Sequence, residues 1–493
     1  MCHPFAHRVA ALFALAFVVT TPAVAQDAAA TLTLEEAQAL AQRNNPDLAL
    51  SRNSRRTAGA ALRSAYGDLL PGADFSFTSQ FREGGSQPIN GVQFETGDIR
   101  QSQYWLGLQY RVSGSTLLGP SVQKANLNAA EADLSASEET VRSAVAQQYF
   151  ASLKAAAQSV LQDTLVETAR QQLELARARA AVGAGTQLDV IRAEVAVGQA
   201  EVQALQSDNT AEVEKLRLFS LIGVTQPAVV RLTSEFAITE PTFTLEQVLE
   251  QAQRRNPTLE AFRARDHAAD VGVKQARTQY LPTLSLSTGW GGYTYESTNP
   301  DFLVQQAMAG VASQRASCFT MDSLRTGAGL PSIGTQCSAI DFTPADRQAL
   351  LSQNEQFPFD FQKQPFALTA TLSIPIFDGF SREQRIQEAV AARSNAQYRT
   401  RARELQLRQE VTAAYLTLRT AQQTVALQEQ NAVRAREELR LAEERYRVGA
   451  STFLEVTEAR ASFERAESER ITAIYDFHSA FSALESAVGR PLR

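Results

Sequence analysis

Four stretches of the chain alternate apolar and polar residues with a period of two. Phe75, Phe77 and Phe81 share one face of the first, and Tyr104, Leu106, Leu108, Tyr110 and Val112 share a face of the second. Leu284, Leu286 and Trp290 alternate in the third, and Phe366, Leu368, Ala370, Leu372, Ile374 and Ile376 in the fourth. Because successive side chains of a strand point to opposite faces, these stretches predict strands of roughly 9 to 11 residues, the length a tilted membrane-crossing strand needs. They group as hairpins near 73–113 and 283–376, and nothing else in the chain reads as strand. Elsewhere the period is helical. Ser121 to Val182 and Arg382 to Val448 predict helices about 93 and 100 Å long, with return helices over Thr186–Ile222 and Thr452–Val488. In the second long stretch Val411, Leu418, Val425, Ala432, Leu439 and Tyr446 recur every seven residues, and small residues such as Ala414 and Ala421 follow three behind. That heptad calls for left-handed coiling of closely packed helices. Shorter helices near 33–69 and 244–280 each open on a threonine before Leu-Glu, an N-cap signal.

The pattern occurs twice. "LTLEEAQALAQRNNPDL" at Leu32 returns as "FTLEQVLEQAQRRNPTL" at Phe243, and "LLPGADFSF" at Leu69 as "YLPTLSLST" at Tyr280, both 211 positions later. Farther along, "VGAGTQLDV" at Val182 returns as "VGASTFLEV" at Val448, 266 positions later. Two constant offsets imply an internal duplication, and their difference locates an insertion in the second copy, a Gly, Ser, Asn and Pro-rich loop over 291–365. The expected organisation is a first repeat over 26–230 with a helical hairpin at 121–222, a connector at 231–243, and a second repeat over 244–493 with a helical hairpin at 382–488. Gly183 and Gly449 fit the turn-backs at the hairpin tips, where positive φ is needed.

Composition narrows the function. Residues 1–25 carry His3, His7 and Arg8, an apolar run and an Ala-Val-Ala site, the marks of a secretory signal. With Cys2 removed, Cys318 and Cys337 are the remaining thiols of an exported chain, and a disulfide between them is expected over two free cysteines. A formal net charge of −6 without basic clusters gives no footprint for nucleic acid. No second run of 18 apolar residues exists, so any membrane contact is through strands. Four strands cannot close a barrel, and an open edge cannot sit in lipid, so the barrel must be shared between chains. His267 and His478 stand alone on helices, and no metal spacing, phosphate loop or nucleophile motif is present. The chain reads as neither an enzyme nor a cofactor protein.

The Thr-Leu-Glu helix starts, Asn45-Pro46 and Asn256-Pro257, "LSIPIFDG" at Leu372 and the two V-G-A tips, in this order, resemble the TolC-like outer membrane efflux proteins over nearly the whole mature chain. The resemblance implies a homotrimer whose four strands per chain build a shared twelve-stranded β-barrel in outer-membrane lipid, above a long α-helical coiled-coil barrel crossing the periplasm. It implies as partners a periplasmic adaptor and an inner-membrane efflux pump or ABC exporter. At the tips it implies an acidic periplasmic ring from Glu455 and Glu458, which lie three apart on one helix face. Tyr446 matches the family's gate tyrosine and Asp189 the acid it bonds. The family's gate arginine is Ser451 here, which removes that salt link; Arg192, three after Asp189, has the spacing to substitute for it or equally to lie at the surface. The expected function is the exit duct of a tripartite efflux or type I secretion system. The alternative is a non-conducting coiled-coil adaptor or surface adhesin, which leaves the hairpins without a purpose.

Overall fold

The computed structural model describes residues 30–89, 92–227, 230–233, 236–238 and 242–492; the expected signal segment lies outside them, as does part of the 231–243 connector. In chain order the elements begin with β1 (Ala30–Leu32), α1 (Leu34–Asn44), α2 (Pro46–Gly67), β2 (Gly72–Arg82), β3 (Gly85–Ile89), β4 (Val92–Thr96) and β5 (Ile99–Val112). Then come α3 (Gly114–Ala181), α4 (Gln187–Ile222), β6 (Val230–Leu232), α5 (Leu245–Arg255), α6 (Pro257–Arg277) and β7 (Thr283–Ser297). The remainder is α7 (Pro300–Gly327), α8 (Gly334–Ser338), α9 (Pro344–Asn354), β8 (Gln362–Lys363), β9 (Ala367–Ser373), α10 (Ser381–Arg447) and α11 (Phe453–Val488). Two compact units result, one from the described residues of Met1–Arg52, Leu134–Leu259 and Glu404–Arg493, the other from Asn53–Asp133 and Glu260–Arg403.

In the first unit, two cores use matching positions of the two halves. Ala37, Ala41, Leu48, Val145, Leu218 and Ile222 are buried in one. Val248, Ala252, Leu259, Val411, Leu484 and Val488 are buried in the other. The heptad positions Val411, Leu418, Val425, Ala432, Leu439 and Tyr446 are all buried, so the seven-residue stripe is the packed face of α10. The helices near 33–69 and 244–280 are not continuous, as the periodicity suggested, but broken at Asn-Pro. The Asn45 side chain donates to Leu221 O (2.8 Å) and accepts from Leu48 N (3.1 Å), ending α1 and starting α2. Asn256 repeats this with Ala487 O (2.9 Å) and Leu259 N (2.9 Å). Proline is tolerated there because the first helical residue has no intrahelical use for its N–H. The connector is not featureless either: β6 pairs in parallel with β1.

The second unit is built on an antiparallel sheet in the order β2-β5-β7, with β9 and the short β8 both on the outer edge of β7. Register separates its faces. Phe75, Leu106 and Trp290 stand opposite one another, as do Tyr110, Leu286 and Ala370, then Val112, Leu284 and Leu372. The reverse face carries Ser76, Thr78, Gln103, Gln109, Ser285, Ser287, Thr369 and Thr371. Trp105, Tyr293 and Tyr295 are the large residues on the polar side, and Trp105 lies across Gly289, where a Cβ would come within 2.4 Å of its ring. The fourth strand is shorter than its alternation suggested, since β9 ends at Ser373 and Pro375 beyond it offers no N–H to a ladder. Extra strands exist as well, β3 and β4 forming a small hairpin between β2 and β5. The inserted stretch is not a loop: residues 300–354 are largely helical, from α7 to α9. Asn299 caps α7 with Pro300 in its first turn, and Cys318 is disulfide-bonded to Cys337 with Cα atoms 5.4 Å apart.

Candidate functional site at the helix tips

Each long helix reverses through a glycine with positive φ, Gly183 at +74° and Gly449 at +81°. Ala184 N donates to Arg179 O (2.9 Å) and Gly183 N to Ala180 O (3.1 Å); Ala450 N donates to Arg445 O (2.8 Å) and Gly449 N to Tyr446 O (3.1 Å). These paired bonds satisfy the last carbonyls of α3 and α10 in the glycine-terminated way that an L side chain opposes. The return helices then start on matching capping boxes, Thr186 with Asp189 and Thr452 with Glu455. Arginines at equivalent positions brace both turns: Arg179 Nη2 donates to Ala184 O (2.9 Å) and Arg445 Nη2 to Ala450 O (3.3 Å).

The two tip pairs share one core. Leu173, Ala176, Val190 and Ala193 from α3 and α4 pack with Tyr446, Phe453 and Val456 from α10 and α11. Tyr446 and Phe453 meet edge-on at 5.8 Å, and the Arg179 guanidinium lies 4.4 Å above the Tyr446 ring. A guanidinium over an aromatic face is an attractive arrangement. Tyr446 is only 4% exposed, and its hydroxyl has no hydrogen-bond partner among the described residues. Burial, then the negative charge of Asp189, push its phenol up from the ordinary value, with Arg179 opposing.

The expected contacts are therefore placed unevenly. Tyr446 is buried near Asp189, but within the chain that carboxylate bonds Thr186 Oγ1 (2.8 Å). Arg192 is exposed and pairs with no acid among the described residues; the arginine on Tyr446 is Arg179. Its signal in the sequence was the repeat itself, since Arg179 aligns with Arg445 at the offset of the tips. Ser451 bonds Ala442 O at 3.4 Å. Glu455 has Arg445 Nη1 at 3.8 Å, both side chains largely exposed, and such a pair is worth little in water. Glu455 and Glu458 line one groove together with Glu437, Glu438, Arg434 and Arg445. Glu437 and Glu438 precede the repeated tip motif and so carry no signal in it, although spacing by four places Glu437, Leu441 and Arg445 on one stripe of α10.

Above the tips a polar seam joins the hairpins. Lys154 reaches Asp476 (3.2 Å), Gln172 reaches Glu443 (3.1 Å), and Arg460 donates to Leu165 O (3.2 Å). Burial holds the Arg460 guanidinium below its ordinary value. The buried Glu467 carboxylate is held by Arg436 and, at 2.7 Å, by Arg470. His478 is enclosed by Phe150, Phe236 and Phe477, with ring centroids 5.3 to 5.7 Å away, and His267 is exposed. Among the described residues no group of acidic, His or Cys side chains could hold a metal ion.

A sheet apolar on one face and polar on the other, in a chain with long helical hairpins closed by glycine turns, is the architecture of outer-membrane efflux channels. Residues 37–224 and 341–490 match the outer membrane efflux protein family, and the chain belongs to that family. The protein is accordingly placed in the outer membrane and extends into the periplasm. No curated protein matches it. Among solved structures it is similar to CusC, a protein that undergoes conformational changes accompanying folding and transmembrane channel formation (TM-score 0.69, 16% identity, 93% of this chain and 92% of that one). It is also similar to the CmeC outer membrane channel of Campylobacter jejuni (0.69, 18%, 92% and 85%) and to the outer membrane protein VceC of Vibrio cholerae (0.65, 18%, 93% and 97%). At these identities the likeness is one of fold.

Proposed function

We propose that three copies of this chain form a passive export duct, each contributing four strands to a twelve-stranded barrel and two helical hairpins to a periplasmic tunnel. The observation that carries this reading is the sheet: apolar on one face, polar on the other, and, among the described residues, unpaired along the outer edges of β2 and β9. An unsatisfied backbone group in hydrocarbon costs several kcal/mol, so those edges must find strands from other copies. The matching caps, cores and Asn-Pro breaks of the two halves support descent from one duplicated unit. Substrate arrives from an inner-membrane pump or ABC exporter through a periplasmic adaptor, in a tripartite efflux or type I secretion arrangement, and the energy is the pump's.

At the tips, Glu455 and Glu458 of three chains form stacked carboxylate rings that focus a negative potential in the constriction. Tyr446, Asp189, Arg192 and the glycine turns shape that mouth. The purified protein, cross-linked in detergent and inserted into planar bilayers, should run as three chains and open ion-conducting channels. A chain that stays monomeric and silent contradicts the duct.

A further inference from the structure

The inserted segment begins where β7 ends, at the end of the sheet away from α6. Its last part returns to the sheet through β8 before β9 begins. Gly292 stands opposite Lys363, whereas Gly289 stands opposite Ala367. The returning chain thus spends four residues where β7 spends three, a one-residue bulge at Gln364–Phe366 with Pro365 inside it. Proline is tolerated in a sheet at such a place.

A one-residue slip reverses every side chain beyond it. In an unbroken strand Phe361 would share a face with Ala367, which stands opposite Gly289 on the polar side with Trp105. With the slip, Phe361 joins the apolar face. There its ring meets Tyr104 edge-on at 4.8 Å and Phe77 at 6.4 Å. Phe359 stacks on Phe77 at 6.3 Å, and Phe366 packs on Trp290 at 5.8 Å. These six rings, a group of four and a pair, lie on the apolar side, yet Phe359 remains 72% exposed and Phe366 59%.

We propose that this strap, residues 357–366, seats the inserted segment against outer-leaflet lipid on the outside of the barrel, so that α7 to α9 form a collar at the membrane surface and not a cap over the pore. The inference rests on the reading of the sheet as a barrel wall. The exposed rings continue the face that this reading gives to lipid, and aromatic side chains collect where acyl chains meet headgroups. A pore cap would require the strap on the polar face, which the bulge avoids.

The chain has two tryptophans, so a Trp105→Phe, Trp290→Phe background is dark. Into it Leu368→Trp reports on the barrel wall and Phe359→Trp on the strap, in full-length protein reconstituted into phosphatidylcholine vesicles. Lipid brominated deep in its chains should reduce Leu368→Trp emission about twofold. Lipid brominated near the headgroup should reduce Phe359→Trp emission by a similar factor, with aqueous iodide having little effect. If Leu368→Trp responds to bromine while Phe359→Trp responds only to iodide, the collar is overturned and the barrel stands. Shielding of Phe359→Trp from both quenchers means protein covers it and also overturns the collar. If neither position responds to bromine, the barrel reading itself fails.

Discussion

The two tips have the same backbone and different contents. Both carry a glycine turn, an arginine on the turn carbonyl and a threonine capping box. The second tip places Tyr446 and Phe453 in the shared core, where the first has Ala180 and Gln187. After its capping acid the second tip adds Glu458, where the first adds Arg192. Equivalent arginines diverge accordingly: Arg179 covers the Tyr446 ring, and Arg445 faces Glu455. A duplicated turn thus keeps its geometry through a few local residues, while packing and charge are free to specialise.

If the second tip supplies the packing, truncating it should be far costlier than truncating the first. Phe453→Ala should lower stability by about 3 to 5 kcal/mol in thermal or denaturant unfolding of the solubilised protein, while Gln187→Ala stays within about 0.5 kcal/mol. Equal losses would break the comparison. The turns, by contrast, should respond alike: Gly183→Ala and Gly449→Ala should each cost about 1 to 2 kcal/mol, since both glycines hold left-handed φ. Gly489→Ala should cost more, because its Cβ would also fall 2.6 Å from Pro257 Cδ and 2.9 Å from Arg255 O.

Smaller still, Thr186→Ala and Thr452→Ala should each cost about 1 kcal/mol through loss of the N-cap, and a clear inequality would show that the tips differ in backbone as well. The smallest effect belongs to the Tyr446 hydroxyl. Tyr446→Phe should stay within about 0.5 kcal/mol at neutral pH, because the oxygen is buried without a partner among the described residues. A phenol raised in the folded state keeps its proton after the unfolded chain has lost its own. Its contribution is complete below the ordinary tyrosine value of 10.0 and is lost as pH rises from there through the folded value. An alkaline stability titration should show that loss in the parent and less of it in Tyr446→Phe.

Features written in short-range signals were legible in the sequence. The repeated V-G-A turns locate the tips, and alternation finds β2, β5 and β7. The breaks at Asn45 and Asn256 were not legible, because the amphipathic period runs through them and the cap depends on a carbonyl 176 residues away in the first copy. The insertion read as loop because Gly, Ser and Pro outweighed the Asn299-Pro300 start of α7. Alternation from Phe366 to Ile376 hid the bulge at Pro365, which only register exposes. At the site, spacing puts Glu455 and Glu458 on one face, but it does not reveal that the arginine over the Tyr446 ring is Arg179. The packing of α3 against α10 decides which arginine reaches Tyr446, and spacing within one tip does not contain it.

The claim that the second tip sets what passes is tested most directly by the reversal potential of single channels in a salt gradient. The account predicts a cation-selective parent, a marked loss of that selectivity in Glu455→Gln with Glu458→Gln, and little change in Asp189→Asn. Selectivity unmoved by the paired substitution, or moved equally by Asp189→Asn, would contradict it.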